Sequence, residues 1–133
     1  MNEALTNLFV GLHREARGER LNAMRLIQVH AVDRLITLLE LRNADRGPIQ
    51  DPFAIERGVE RRFDEDVLPP SAFALGYERN REAAAAILDW LEVNASVDTV
   101  LAAAVRELPV KGLADVLDQP DLAGYGVRRV EQR

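Results

Sequence analysis

The segment LNAMRLIQVHAVDRLITLLEL, from Leu21 to Leu41, decides how this chain folds. Met24, Ile27, Ala31, Leu35 and Leu38 recur at steps of three and four, the period of one helical face. Val29, Val32, Ile36 and Leu39 recur in the same way on an adjacent stripe. A surface helix needs one apolar stripe against its core, so two stripes predict a rod buried from two sides. The rod is either the centre of an all-helical domain or is shared between two subunits. It is expected to span about 19–43, with Gly47-Pro48 stopping it because proline cannot continue a helix.

The flanking sequence also reads as helix. Leu5, Leu8, Phe9 and Leu12 predict a first helix from about Glu3 to Arg17, ended by Gly18. Asp51-Pro52 is a start signal, a carboxylate cap followed by proline at the first helical position. Ile55, Val59 and Phe63 follow it at four-residue steps, predicting a third helix. Asp64-Glu65-Asp66 near its end opposes the helix dipole and predicts an early stop. Pro69-Pro70-Ser71 reads as a linker, with Ser71 capping a turn that carries Phe73 and Tyr77. A fourth helix, about Glu78 to Val93, presents Ala83, Ile87, Trp90 and Leu91. A fifth, capped by Ser96, carries Val97, Val100, Leu101, Ala104 and Leu108 up to Pro109. A short sixth covers about Val110 to Leu117. No repeat and no strand-like alternation breaks the pattern. The fold class is therefore all-α: one compact domain of five to six helices over about 1–122, followed by a short glycine-containing basic tail over 123–133.

Composition narrows the chemistry. A chain of 133 residues fits one domain and buries enough surface to fold without a metal or disulfide. With no cysteine, thiol nucleophiles and thiolate metal sites are excluded. Met1-Asn2-Glu3 is not a basic leader, and the apolar run Ala83 to Leu88 is too short to span a bilayer. The expectation is a soluble, cytoplasmic protein with no membrane contact. Lys111 is the one lysine among 17 basic residues, an arginine bias that reads as GC-rich bacterial codon usage. The net charge of −5 is uneven: residues 1–50 sum to +1, 51–105 to −6 and 106–133 to zero. An acidic middle disfavours a large nucleic-acid surface.

No cofactor, catalytic or metal site is expected. His13 and His30 lack the convergent ligands that zinc or di-iron sites need, and His30, Asp33 and Arg34 read as a solvated polar face. Glu56, Glu60 and Asp64 share a predicted helical face with Arg57 and Arg61 alongside, which reads as a salt-bridged surface. What remains is a non-enzymatic helical protein–protein interaction or assembly module that self-associates or meets another protein. Val29, Val32, Ile36 and Leu39 are its expected contact residues. In that reading Ile36→Glu yields soluble monomer, whereas an intramolecular Ile36 makes the same change unfold the chain.

Two alternatives involve nucleic acid. Leu108 to Leu117, a proline-containing turn and Val127-Arg128-Arg129-Val130 resemble a helix-turn-helix. Arg128, Arg129 and Arg133 would then meet phosphate, although Gly124, Gly126, Asp118 and Asp121 depart from such a module. Separately, Arg25-Leu26-Ile27-Gln28-Val29-His30 is similar to the arginine–four residues–histidine motif of the HEPN ribonucleases, which are all-helical. The resemblance covers six residues and implies His30 as general base and Arg25 as phosphate stabiliser. Leu26 stands where that family often has a polar residue. On a regular α-helix, residues five apart point about 140° away from each other.

Overall fold

The computed structural model describes residues 2–42 and 53–108. Among them every regular element is helical, arranged as one compact domain. The elements are α1 (Asn2–Ala16), α2 (Arg20–Met24), a π-helical segment (Arg25–Ala31), α3 (Val32–Leu41), α4 (Val59–Arg62), α5 (Pro70–Phe73), α6 (Asn80–Asn94) and α7 (Thr99–Glu107). α2, the π segment and α3 follow one another without a break, so the described part of the rod runs from Arg20 to Leu41. The predicted sixth helix and the basic tail lie outside the described residues, as do Gly47-Pro48 and Asp51-Pro52.

Successive segments reverse direction. Gly18 turns the chain after α1 with a left-handed φ of 82°, which lays α1 back along the rod. Glu3 near the start of α1 therefore meets Arg34 of α3, while Glu15 near its end meets Arg20 of α2. The connection from Phe53 to Gly76 returns past the rod, tied at one end by Arg62 to Glu40 and at the other by Gln28 to Gly76. α6 then runs parallel to the rod, with Asn80 beside Glu15 and Asn94 accepting a hydrogen bond from Arg42. α7 returns along α6, where Arg106 bridges Asp89 and Glu92.

The core fills the space between these helices. Leu5, Leu8, Ile27, Leu35, Ile87 and Leu91 are fully buried, and each such side chain contributes about 1.5–3 kcal/mol. Gly11 lies where α1 crosses the π segment: a Cβ built on it falls 2.6 Å from Ile27 Cγ1, so only glycine permits this approach. Trp90 packs into the core and donates its indole N–H to the Val67 carbonyl at 2.9 Å.

Three element boundaries differ from the sequence expectation. The third helix does not extend back to Asp51; α4 holds only Val59–Arg62, because Gly58 adopts a left-handed φ of 69° immediately before it. It does stop ahead of the acidic triplet, with Phe63 already extended. Glu56 and Asp64 consequently share no helix with Glu60. Asp98, not Ser96, caps α7, its carboxylate accepting the Leu101 amide at 2.9 Å. Ser71 caps nothing; its hydroxyl donates to Glu65 at 2.9 Å, and Pro70 begins α5.

Candidate interaction surface and polar groove

The four expected contact residues do not share one environment. Ile36 and Leu39 are buried in the core of their own chain. Val32 is half-buried and Val29 is exposed. The second stripe thus faces inward along the later part of the rod and outward in the π segment. As a continuous contact face, it is corrected by the structure: two of its four members are unavailable to a partner.

A different apolar surface is present. Leu41 ends α3, Val93 lies in the last turn of α6, and Val100 lies in the first turn of α7. The Arg42–Asn94 hydrogen bond joins the ends of α3 and α6, and the hairpin from α6 to α7 keeps Val100 at that level. Phe53 lies two residues before Ile55, whose carbonyl accepts from Arg62, the partner of Glu40. These four side chains are 77%, 83%, 79% and 97% exposed, in the order Leu41, Val93, Val100 and Phe53. No other large apolar side chain among the described residues exceeds the 57% of Leu21.

The π segment changes the geometry of the arginine–histidine pair. An i→i+5 hydrogen-bond pattern brings residues four and five apart to the same side. Arg25, Val29 and His30 are accordingly all exposed, while Ile27 and Ala31 are fully buried on the opposite side. The divergence expected on a regular α-helix is removed. His30 also borders an open groove of 540 Å³ together with Arg34 of α3 and Asn2, Glu3, Thr6 and Asn7 of α1. Arg34 Nη1 lies 3.3 Å from Glu3 Oε2, so that guanidinium is already engaged. Asp33, beside His30 and Arg34, has its pKa raised from the ordinary value by desolvation and by the nearby Glu56 charge. Interactions with His30 and Arg34 oppose that shift.

Comparison with family models, with curated proteins and with solved structures gave no match. The assignment of a role rests on geometry alone.

The second histidine has a structural setting. His13 is buried, tilts against the Phe9 ring at a centroid distance of 4.4 Å, and donates from Nδ1 to the Phe9 carbonyl at 2.9 Å. Among the described residues no three His, Asp or Glu side chains converge as a metal site requires, and no helix is long and apolar enough to cross a membrane. Arg128, Arg129 and Arg133 lie outside the described residues.

Sequence reasoning missed two features that shape this surface. Gln28 is one: its Oε1 accepts the amides of Leu75 and Gly76 at 2.9 Å, and its Nε2 donates to Gly76 O and Asn80 Oδ1. Asn80 extends the clasp to Glu15 and to the Arg20 carbonyl. The other is the apolar end itself, whose members lie far apart in sequence. Periodicity could not find it, because each residue sits at a helix end or in a turn.

Proposed function

We propose that this chain is a non-enzymatic helical interaction module that self-associates through the end of the bundle bearing Leu41, Phe53, Val93 and Val100. The supporting observation is that these four are the most exposed large apolar side chains among the described residues, three of them at the ends of α3, α6 and α7. Exposed apolar patches rimmed by polar groups are characteristic of protein contacts, and Arg42 and Glu92 directly neighbour Leu41 and Val93 in the chain. A second copy is the occupant expected from the prevalence of two-fold assemblies, in which the same patch serves both subunits. Light scattering on the purified chain tests this. A dimer mass is expected, with Leu41→Glu plus Val93→Glu giving a folded monomer. A wild-type monomer at every concentration would leave only a different protein as partner.

A second reading has its own support in the common exposure of Arg25 and His30 on the π segment. His30 would act as general base and Arg25 as stabiliser at an RNA phosphodiester. Cleavage of RNA that disappears in His30→Ala, with helicity and melting unchanged, would support it. RNA left intact by the wild-type chain ends it.

A further inference from the structure

Gln28 sits in the middle of the π segment, and one distant stretch of chain uses its whole side-chain amide. Its Oε1 accepts from the Leu75 and Gly76 amides. Its Nε2 donates to the Gly76 carbonyl at 2.7 Å and to Asn80 Oδ1 at 2.8 Å. Asn80 is 1% exposed and donates in turn to Glu15 and to the Arg20 carbonyl. The clasp therefore fixes the direction in which residue 28 leaves the rod, relative to α1, α2 and α6.

The core fixes the rod on either side of that point. Ala23, Ile27, Ala31, Leu35 and Leu39 are all buried, at steps of four residues. Four residues of α-helix turn about 400°, so a row with that spacing drifts by about 40° per step. Continued from Ala23 to Leu39 the drift reaches about 160°, and the two ends would face opposite ways. A stretch with i→i+5 hydrogen bonds takes more residues per turn and rotates the row back. The π winding thus keeps Ala23 of α2 and Leu39 of α3 on one core. Ile27 leaves little slack at the crossing with α1, where a Cβ on Gly11 would fall 2.6 Å from its Cγ1.

Winding and clasp are consequently conditional on each other. Wound as α-helix, residues 25–31 would rotate Gln28 away from Leu75 and Gly76, and Arg25 and His30 would diverge by about 140°. Wound as they are, Gln28 reaches the turn while Arg25 and His30 are both exposed.

We propose that Gln28 is a positioning residue for the face that carries Arg25 and His30. Its clasp on Leu75 and Gly76 holds 25–31 in the π winding, so the turn and that face change together. What Arg25 and His30 would do chemically rests on the second reading above, whereas the coupling does not.

The test is a long-range HNCO spectrum of the isotopically labelled full chain, in which an amide nitrogen couples to the carbonyl carbon that accepts its hydrogen bond. In the wild type the His30 nitrogen should couple to the Arg25 carbonyl, five residues back. In Gln28→Leu it should couple to the Leu26 carbonyl instead, four residues back. Leu88→Ala, about two turns along α6 from Asn80, lowers stability without touching the clasp and should keep the wild-type coupling. Should Gln28→Leu not fold, Gln28→Glu takes its place with the same expectation, since a carboxylate cannot donate to the Gly76 carbonyl. A folded Gln28 variant that retains the Arg25 coupling would overturn the proposal, as would its loss in Leu88→Ala or its absence from the wild type. Unfolding of both Gln28 variants would also overturn it, making the clasp a condition of the whole fold. A coupling that moves as expected in a chain that leaves RNA intact would end the ribonuclease reading alone, with the positioning role of Gln28 upheld.

Discussion

Arg62 and Glu40, 22 positions apart, form an ion pair in which both side chains are largely buried. Arg62 also donates to the Ile55 carbonyl at 3.1 Å, so one guanidinium fastens two stretches of chain to the rod. Its position immediately before the extended Phe63 fixes where the return connection leaves α4.

Removing one partner should therefore cost more than the pair itself contributes. Arg62→Met leaves the largely buried Glu40 without its cation, and a loss of about 3–5 kcal/mol is expected by urea unfolding. Replacing both, Arg62→Met with Glu40→Leu, should recover most of that loss. A double variant as unstable as the single one would show that the guanidinium matters through its carbonyl contact.

Gly11 and Ile27 give the second prediction. Gly11→Ala should gain helix propensity of about 1 kcal/mol but place a methyl 2.6 Å from Ile27 Cγ1. Ile27 is fully buried, so the clash dominates and a net loss of about 1–3 kcal/mol is expected. Combined with Ile27→Ala the penalty should be less than additive, which a double-mutant cycle measures. Full additivity would mean that the helices separate without strain.

Gln28 provides the third. Gln28→Leu preserves bulk but abandons the amides of Leu75 and Gly76 and the Asn80 side chain. Leaving such groups unpaired costs about 1–3 kcal/mol each where they are buried, and less where water can reach them. The local signature is sharper than the global one: amide exchange at Leu75 and Gly76 should accelerate. Gln28→Glu should also fail to restore the clasp, because a carboxylate cannot donate to the Gly76 carbonyl. Unchanged exchange at both amides would refute this role.

The helical class was legible because Leu5, Leu8, Ile27, Leu35, Ile87 and Leu91 repeat at helical spacing and are all buried. The later part of the second stripe, Ile36 and Leu39, was correctly apolar but was assigned to a partner when it faces the chain's own core. Spacing reports that a side is covered, not which molecule covers it. Ile36→Glu should consequently destabilise the fold, whereas Val29→Glu should be tolerated. The π segment was not legible, since Arg25 to Ala31 has no local mark of an i→i+5 pattern. Nor was the role of Gly11, which depends on a helix sixteen positions later. Gly58 and Asp98 show the opposite case: a left-handed glycine and a carboxylate cap are local signals that outweighed the four-residue repeat and Ser96.

Asp33 supplies the last prediction, through pH. Desolvation first and the Glu56 charge second raise its pKa in the folded chain, against the opposing pull of His30 and Arg34. Between its unfolded and folded pKa values the folded state holds the proton more tightly, so folding is linked to proton uptake. The contribution of Asp33 to stability is thus fully present below the unfolded pKa and is lost as pH rises through the raised folded value. At neutral pH the ionised carboxylate is a net burden. Asp33→Asn should raise the melting temperature near neutrality and flatten its change across the carboxylate range, while below the unfolded pKa the two proteins converge. Glu56→Gln should give a smaller change in the same direction, because it removes only the second cause. A wild-type advantage at neutral pH would mean that the attraction to His30 and Arg34 outweighs burial. Thermal melts of the three proteins across that pH range decide the balance.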